Sequence, residues 1–598
     1  MFRRTLLLLA AGGMGLLCAG CVPEEWMGKT NAPAEERVVP PEVADTVGEY
    51  ASLVGGGSLL LDGHGLVVGL GRNGSSEVPP QLKKYVVEYM LKQKVGSALG
   101  AAPGVTPSQM IADLDTAVVR MIGVIPPGTP VGWPFDVQIV ALGQTGTRSL
   151  DGGTLYPFPL YVAQGVGTPP PSGARAWAEA EGSVFVSPFL DPARPADAAQ
   201  LREGRLIGGG KVVEARPLRL ILREPDYARC NVIQRRINQR FGQPWQIANA
   251  KNASTIELKV PPTFRDDYEH FLQLVLHLPL QAETSRWEAQ AREIAAEMVK
   301  AGANHDGLSL VWEAMGSQVV DVCRSLYSSR NPAAAFYSAR AGIRLQDKMA
   351  GEVLTRFAQT SDSPHQVAAI EELGRNRWMA RSVPTLRQLV DDPSEGVRIA
   401  AYEALVKMGD TQLVTRVHVG GEFVMDLVTS RRSYVIYATQ TLEKRIVLFG
   451  RDMAVRRQVF FNMPGDLVTL CDKQVSVDEN DEVVDPKTLS TLDRMKLKQA
   501  DRLMVFRTIP RTGGISEPFY IDFLVRTLVD TLGQLAQKDT RGKVKGLELT
   551  YGQVVSLLYR MCEVDKDIPA KFVLQPLAGE GRIFRTGTTV GRPDMPGD

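Results

Sequence analysis

The N-terminal part of the chain alternates short apolar runs with glycine and proline clusters, a pattern typical of β-rich folds. Between residues 135 and 141 every second side chain is strongly apolar, which predicts a strand with one buried face. The apolar run 117–125 predicts another strand. A helix with a single apolar stripe precedes both, with the stripe at Leu82, Val86, Tyr89 and Met90. We therefore predict a β-rich module over residues 48–168.

A second patterned segment, residues 204–282, predicts a strand, a helix and another strand in succession. Leu218, Leu220 and Leu222 alternate along the first strand, and Asp226 follows as the N-cap of the helix. The helix has one apolar face, formed by Cys230, Ile233, Ile237 and Phe241. Strand 256–260 comes next, so the segment is predicted to be a βαβ-type module.

From Thr284 onward the periodicity becomes helical. Three similar segments begin at Pro332, His365 and Gly396, at a spacing of roughly thirty residues that is typical of stacked helical pairs. The buried side of the last helix is predicted at Val397, Ala401, Ala404, Leu405 and Met408. Residues 284–410 are therefore predicted to form HEAT/TPR-like repeats, an architecture that commonly provides binding surfaces.

Beyond the repeats the pattern predicts three further regions. Residues 411–474 return to strand character, residues 475–515 are predicted to be a polar loop, and residues 516–598 are predicted to be helical. The fold class is α+β: a β-rich N-terminal half with a βαβ-type module, then helical repeats and a mixed α/β C-terminal region.

The first residues carry an export signal, predicted over residues 1–20: Arg3 and Arg4 precede an apolar run that ends at Leu-Cys-Ala-Gly-Cys. Ala19 and Gly20 before Cys21 are similar to a bacterial lipobox, which predicts acylation of Cys21 and a tether over residues 21–47. Two alternatives stay open: a redox or metal-binding pair formed by Cys18 and Cys21, and an ordinary secretory signal.

The composition excludes some classes of function but adds no new one. The chain has 68 Lys and Arg against 67 Asp and Glu, so no overall charge favours nucleic acid. The arginines of the predicted helix are open to two interpretations, a solvated face or a contact with peptidoglycan or an acidic neighbour: Arg229, Arg235, Arg236 and Arg240. The cysteines after the signal are far apart and form no disulfide framework, although a pairing stays open: Cys230, Cys323, Cys471 and Cys562.

The motifs of common enzymes are missing from the sequence. The histidines fit no metal-ligand spacing, and neither a Walker A motif nor a GxSxG motif occurs. The glycine-rich segment 63–71 is followed by turn residues rather than by a helix, so we interpret its glycines as turns and not as a phosphate loop. We predict no enzyme activity and no cofactor, while a pair of wall-cleaving carboxylates stays open.

An ordered series of motifs runs from GLVVGLGRNGSS through FDVQIVALG and SLDGGTLYPFPL to YVAQG, and a Pro-Asp helix start follows in the second module. This series resembles the bacterial flagellar basal-body P-ring protein family. The positions that carry the resemblance are Gly65, Gly69, Gly74, Asp136, Gly152, Gly153, Thr154, Gln164, Gly165, Pro225 and Asp226. The match ends near Leu280, and the helical repeats lie outside it.

The resemblance implies a structural subunit of a homo-oligomeric ring around the flagellar rod, in the periplasm at the peptidoglycan layer. The implied partners are the rod, the outer-membrane ring proteins and peptidoglycan, and a periplasmic assembly chaperone stays open. Neither nucleic acid nor membrane contact beyond the lipid on Cys21 is expected, with that lipid in the outer membrane. The alternative is an outer-membrane-tethered scaffold that reuses the fold and recruits envelope proteins through its repeats.

Overall fold

The computed structural model describes residues 44–577, apart from short segments at 56, 96–103, 164–172, 243, 282–283, 362, 464–466, 480–481, 485, 487–493, 509–513 and 538–545. None of the helices in this described part is both long and apolar enough to cross a membrane. Cys21, Gln164 and Gly165 lie outside the described residues.

The part of the chain before the repeats is mostly strand. Its elements are α1 Val47–Tyr50, β1 Ala51–Val54, β2 Leu59–Val68, α2 Pro80–Lys92, α3 Pro107–Ala112, β3 Thr116–Ile125, β4 Pro134–Ala141, β5 Thr154–Val162, β6 Ala178–Ser183, β7 Glu203–Val212, β8 Leu218–Leu222, α4 Tyr227–Phe241, β9 Ala248–Ala250, β10 Thr255–Leu258 and α5 Tyr268–Leu276.

Six of these strands close into a barrel in the order β2-β3-β4-β7-β6-β5. The predicted apolar face of β4 is buried inside it, from Phe135 to Ala141. Gly65 lies within β2 and not in a turn, so our interpretation of it was wrong. A Cβ atom on Gly65 would lie 3.0 Å from Leu155 and 3.2 Å from Met121. A side chain at this position would therefore crowd Leu155 and Met121 inside the barrel, which favours glycine within the strand.

The second module is a four-stranded sheet in the order β1-β8-β10-β9. Strands β8 and β9 are each antiparallel to β10, so they are parallel to one another and α4 connects them. This is a split βαβ unit, which agrees with the predicted type. Asp226 caps α4 as predicted: its Oδ1 accepts hydrogen bonds from the backbone N–H groups of Ala228 (2.8 Å) and Arg229 (3.2 Å).

The boundary between the two modules differs from the predicted one. Strand β7 (Glu203–Val212) belongs to the barrel, whereas β1 (Ala51–Val54) pairs with β8 in the split βαβ sheet. The barrel is thus an insertion between the first two strands of the second module. Strand pairing across an insertion leaves no local sequence signal, because it depends on residues far apart in the chain.

Eight helices of the described chain form the central region. They are α6 Thr284–Met298, α7 His305–Met315, α8 Val320–Ser325, α9 Pro332–Arg344, α10 Lys348–Gln359, α11 Gln366–Arg375, α12 Val383–Leu389 and α13 Glu395–Met408. The predicted buried residues Val397, Ala401, Ala404 and Leu405 lie in one core with residues from α6 to α12. Gly374 allows α11 to approach α13 closely, since a Cβ atom there would lie 2.6 Å from Ala404.

The C-terminal region contains more strand than predicted. Its elements are β11 Val414–Val419, β12 Phe423–Val428, β13 Tyr434–Ala438, β14 Arg445–Phe449, β15 Phe460–Asn462, β16 Val468–Val477, β17 Lys498–Arg507, β18 Phe519–Ile521, α14 Val525–Gly533, α15 Tyr551–Tyr559 and β19 Ala570–Leu574.

Two predictions for this region were wrong. The polar loop 475–515 contains β17, which pairs with β16 over its whole length. The outer half of this ribbon is largely solvent-exposed, so its composition is that of a loop. The helical segment 516–598 supplies β18 and also β19, which joins the sheet β11-β12-β14-β13-β19 beside β13. Both faces of that sheet are buried, one against the repeats and the other against α14 and α15.

Candidate assembly surface and domain junctions

One face of the split βαβ sheet carries polar and partly exposed side chains, and we call it the open sheet face. Its residues occupy two cross-strand rows, Ser52, Ile221 and Thr255 in one and Val54, Arg219, Glu257 and Asn249 in the other. Val54 is 46% exposed, and Glu257 pairs with Lys251 at 3.1 Å. The opposite face packs under α4 and α5. Charges of both signs on an exposed sheet face can give a contact with another protein surface its electrostatic complementarity.

Asp136 joins the barrel to the C-terminal region. Its Oδ1 accepts hydrogen bonds from the backbone N–H groups of Gly208 (2.7 Å) and Leu442 (2.9 Å). Gly208 has a φ of 60°, and a Cβ atom on it would collide with the carbonyl oxygen of Leu442. Strand β7 and the β13–β14 turn therefore meet at backbone distance, and only glycine fits there.

A second set of contacts lies at the other side of the same junction. Gly152 has a φ of 73° and packs against the side chain of Gln553 at the start of α15. The ring of Phe185 lies 5.8 Å from that of Tyr551, between centroids. Lys444 Nζ donates hydrogen bonds to Ser183 Oγ (2.6 Å) and to Glu422 Oε1 (2.9 Å). Two of the resemblance positions, Asp136 and Gly152, thus contact residues beyond the resembling region.

The other resemblance positions are structural within the barrel. Thr154 starts β5 opposite Val68, and Gly69 follows β2 with a φ of 82°. A Cβ atom on Gly153 would lie 2.6 Å from Leu70, and one on Gly74 would lie 2.6 Å from the carbonyl oxygen of Leu114. These glycines allow the loops at one end of the barrel to pack closely. Pro225 directly precedes the N-cap of α4.

A network of buried charges joins the split βαβ module to the repeats. Arg344 donates hydrogen bonds to Glu313 (3.2 Å) and Glu372 (2.6 Å), and His270 from α5 lies 2.5 Å from Glu313. Burial raises the pKa of Glu313, but Arg344 and His270 outweigh burial and hold this pKa below its usual value. Arg344 and Arg375 do the same for the pKa of Glu372. No spacing in the sequence indicates this network, because its members come from α5, α7, α9 and α11.

The arginines of α4 are not simply a solvated face. Arg240 is half-buried and donates hydrogen bonds to the carbonyl oxygens of Ala314 and Glu313, both at 3.0 Å. Arg236 stacks over Trp287 at 4.4 Å, and Arg229 stacks over Tyr50 at 4.3 Å. Arg235 is exposed. Most of this basic face therefore contributes to packing, and only part of it is available to an anionic partner.

A further cluster of charges surrounds Asp426, where α13 packs on the C-terminal sheet. Tyr402 donates a hydrogen bond to Asp426 (2.5 Å), and Arg416 binds both carboxylate oxygens at 2.9 and 3.0 Å. Arg445 donates to the Tyr402 hydroxyl at 3.0 Å. Because both oxygens of this buried carboxylate have partners, the geometry is that of a structural ion pair and not of a free general base.

Among the described residues there is no group of histidine, cysteine and carboxylate side chains that could hold a metal ion. The four cysteines whose pairing stayed open are all free, and Cys230, Cys323 and Cys562 are buried. Burial raises the pKa of Cys323 to about 12 and that of Cys562 to about 12, so neither is a reactive thiolate near neutral pH.

The described chain is thus a barrel inserted in a split βαβ module, joined to helical repeats and to a C-terminal sheet. Residues 47–288 match the family model of the flagellar P-ring protein, and residues 351–417 match that of HEAT repeats. The predicted resemblance and the predicted repeats are both confirmed.

Individual relatives agree with the family model. A flagellar P-ring protein of Anaeromyxobacter dehalogenans strain 2CP-C is 29% identical over 276 residues, which are 44% of this chain and 66% of the relative. One of Aquifex aeolicus is 27% identical over 224 residues, 36% of this chain and 56% of the relative. One of Thermotoga maritima is 29% identical over 234 residues, 37% of this chain and 63% of the relative. The chain therefore spans less than two thirds of the length of these relatives.

Proposed function

We propose that this chain is a structural, non-catalytic subunit of the flagellar basal body. In this proposal the P-ring-like part assembles with other copies into a ring around the rod, in the periplasm at the peptidoglycan layer. The match of residues 47–288 to the flagellar P-ring protein carries the proposal. The open sheet face supports it, because a ring needs a heterologous contact in which one surface of a subunit meets a different surface of the next.

The contacts at the domain junctions are expected to make this subunit rigid. The barrel is fixed to the C-terminal sheet through Asp136, and the split βαβ module is fixed to the repeats through Arg344. Hydrogen-bonded contacts of this kind resist relative movement of the parts that they join. A rigid subunit suits a ring that surrounds a rotating rod.

The proposal is tested by deleting the gene and examining isolated basal bodies by negative-stain electron microscopy. We expect the deletion strain to be non-motile and its basal bodies to lack a ring at the peptidoglycan level. A labelled copy of the full chain should restore both and place the label on that ring. Normal flagella and swimming in the deletion strain would contradict the proposal.

The second candidate function is an outer-membrane-tethered scaffold that recruits envelope proteins. The observation that favours it is the size of the additions, since the repeats and the C-terminal region lie outside the P-ring match. The same labelling experiment separates the two functions. Label spread over the envelope away from basal bodies, together with normal flagella in the deletion strain, supports the scaffold.

Anchoring by a lipid on Cys21 is the associated prediction for the N-terminus. Replacing Cys21 by serine removes the thiol that would be acylated, so incorporation of labelled palmitate should fall to background and the protein should leave the outer-membrane fraction. The matched control is Cys18→Ser, which should keep the label because it lies within the predicted signal. Persistent label on the Cys21→Ser chain would rule out acylation at that residue.

A further inference from the structure

Two turns of the helical repeats lie side by side at one edge of the repeat stack. Lys348 and Met349 are the first two residues of α10 and directly follow the α9–α10 turn, and the α11–α12 turn covers residues 376–382. Met379 of the second turn packs against α10, since a Cβ atom on Gly351 would lie 2.8 Å from its sulfur. Side chains from both turns therefore form one continuous surface. We call it the basic edge: Lys348, Met349, Arg375, Arg377, Trp378 and Arg381.

The basic edge combines protruding apolar side chains with cations. Met349 is 53% exposed and Trp378 is 39% exposed, although both are large apolar residues. Lys348, Arg377 and Arg381 are exposed around them. Arg375 also belongs to this surface and lies 3.5 Å from Glu372. These side chains stand at the tips of turns, where they can enter a soft surface but do not form a groove.

Most carboxylates near this surface are buried and form ion pairs with arginines that lie outside the basic edge. Asp347 is 2% exposed at its side chain and binds Arg324 at 2.9 Å. Glu372 is 8% exposed and binds Arg344 at 2.6 Å. Glu352, one turn along α10, is an exposed carboxylate beside the four basic side chains. The surface therefore has a net positive charge.

We propose that the basic edge binds an anionic phospholipid surface. Tryptophan and other amphipathic side chains favour the boundary between headgroups and acyl chains, while Lys and Arg beside them attract anionic headgroups. An acidic protein partner would favour a cleft for Trp378, whereas this side chain protrudes from a turn. Residues 21–43 of the predicted tether can span roughly 80 Å when extended, which leaves the edge free to reach a membrane that holds Cys21.

The test measures vesicle binding without the lipid anchor. The chain from Val22 to Asp598, which contains every described residue, is sedimented with vesicles of phosphatidylglycerol and phosphatidylethanolamine or of phosphatidylcholine alone. We expect binding to the anionic vesicles only, weakened at high salt because salt screens the headgroup charge. Arg377→Ala with Arg381→Ala should lower the partition coefficient about 30-fold, at about fivefold for each cation near the surface. Trp378→Ala should lower it further at every salt concentration.

The matched control removes two exposed arginines from the opposite edge of the repeats. Arg330 precedes α9 and Arg356 lies in the last turn of α10, so Arg330→Ala with Arg356→Ala makes the same change in net charge. This control should bind like the unchanged chain, and circular dichroism should show equal thermal midpoints for all variants.

Equal losses in the two double variants, or equal binding to both kinds of vesicle, would overturn the proposal. Binding of polyglutamate through Arg377 and Arg381 without vesicle binding would also overturn it, in favour of an acidic protein. The vesicle-binding result does not depend on the ring proposal. It would stay the same even if the deletion strain kept normal flagella.

Discussion

Replacing Arg344 by methionine is expected to lower the free energy of unfolding by about 3–5 kcal/mol, because the change leaves two buried carboxylates without their main cation. Arg344 is 12% exposed and lies between Glu313 and Glu372, each 8% exposed. Methionine keeps much of the packing volume but removes every hydrogen-bond donor. Chemical denaturation followed by circular dichroism measures the loss. A loss below about 1 kcal/mol, the range of an exposed ion pair, would contradict the assigned role.

Arg340→Met is the matched control for this experiment. Arg340 lies one turn earlier in α9 and is equally buried at 12%, but its partner Asp306 is 61% exposed. Removing Arg340 leaves that carboxylate in water, so we expect a loss of about 1 kcal/mol or less from the ion pair. The difference between the two variants isolates the effect of burying the carboxylates rather than of losing an arginine.

The loss in free energy of unfolding that Arg344→Met causes should become smaller as the pH falls. In the unchanged chain the pKa values of Glu313 and Glu372 are lowered, so their contribution to stability is present above the usual glutamate pKa of 4.5 and is lost in acid. In the variant Arg344 is gone while the burial of both carboxylates remains, so we expect both pKa values to rise and the folded state to take up protons more readily than it does in the unchanged chain. The two chains should therefore approach each other in stability below about pH 4. A penalty that does not change with pH would exclude this mechanism.

Individual helices and strands could be predicted from the sequence because the patterns that indicate them involve only neighbouring residues. The alternation from Phe135 to Ala141, the capping of α4 by Asp226 and the buried stripe of α13 all follow from neighbouring residues. The resemblance motifs also located the P-ring-like region, which the family model confirms over residues 47–288.

The features that failed or were missed depend on contacts between distant parts of the chain. Strand β1 pairs with β8 across the whole barrel, and the exposed ribbon β16–β17 has the composition of a loop. Gly65 was interpreted as a turn residue, yet it lies within a strand where the crowded barrel interior favours glycine. The networks around Arg344 and Asp426 join residues from several elements, and no spacing in the sequence indicates them. The candidate surfaces of this protein could therefore be found only from the fold.

The junction between the barrel and the C-terminal sheet should be the most sensitive to a single added methyl group. In Gly208→Ala the new Cβ atom would overlap the carbonyl oxygen of Leu442, which belongs to the backbone and cannot move away as a side chain can. The φ of 60° at Gly208 adds about 1–2 kcal/mol for any residue with a Cβ atom. The β7 strand and the β13–β14 turn must then separate, and the hydrogen bond from Leu442 N–H to Asp136 is lost as well.

Gly132→Ala isolates the contribution of this overlap. Gly132 also lies in the barrel with a left-handed φ of 81°, but no heavy atom lies within 4 Å of the position that its Cβ would take. We expect Gly132→Ala to lower the free energy of unfolding only by the cost of its left-handed backbone conformation. Gly208→Ala should lower it by several kcal/mol in total, because the overlap with Leu442 adds to that cost. Asp136→Ala should add little to Gly208→Ala, since both changes break the same junction and their effects are coupled.

The form of the unfolding curve gives the most direct evidence for the junction. If Gly208 and Leu442 hold the barrel to the C-terminal sheet, then Gly208→Ala should separate one transition into two, with the barrel unfolding independently of the sheet. All seven tryptophans precede residue 411, so tryptophan fluorescence follows the parts of the chain before the C-terminal sheet, including Trp133 between β3 and β4. Limited proteolysis should then release a barrel-containing fragment from Gly208→Ala but not from Gly132→Ala. A single transition in both variants would show that the contacts of Phe185 and Gly152 are sufficient to hold the two parts together without the close approach at Gly208.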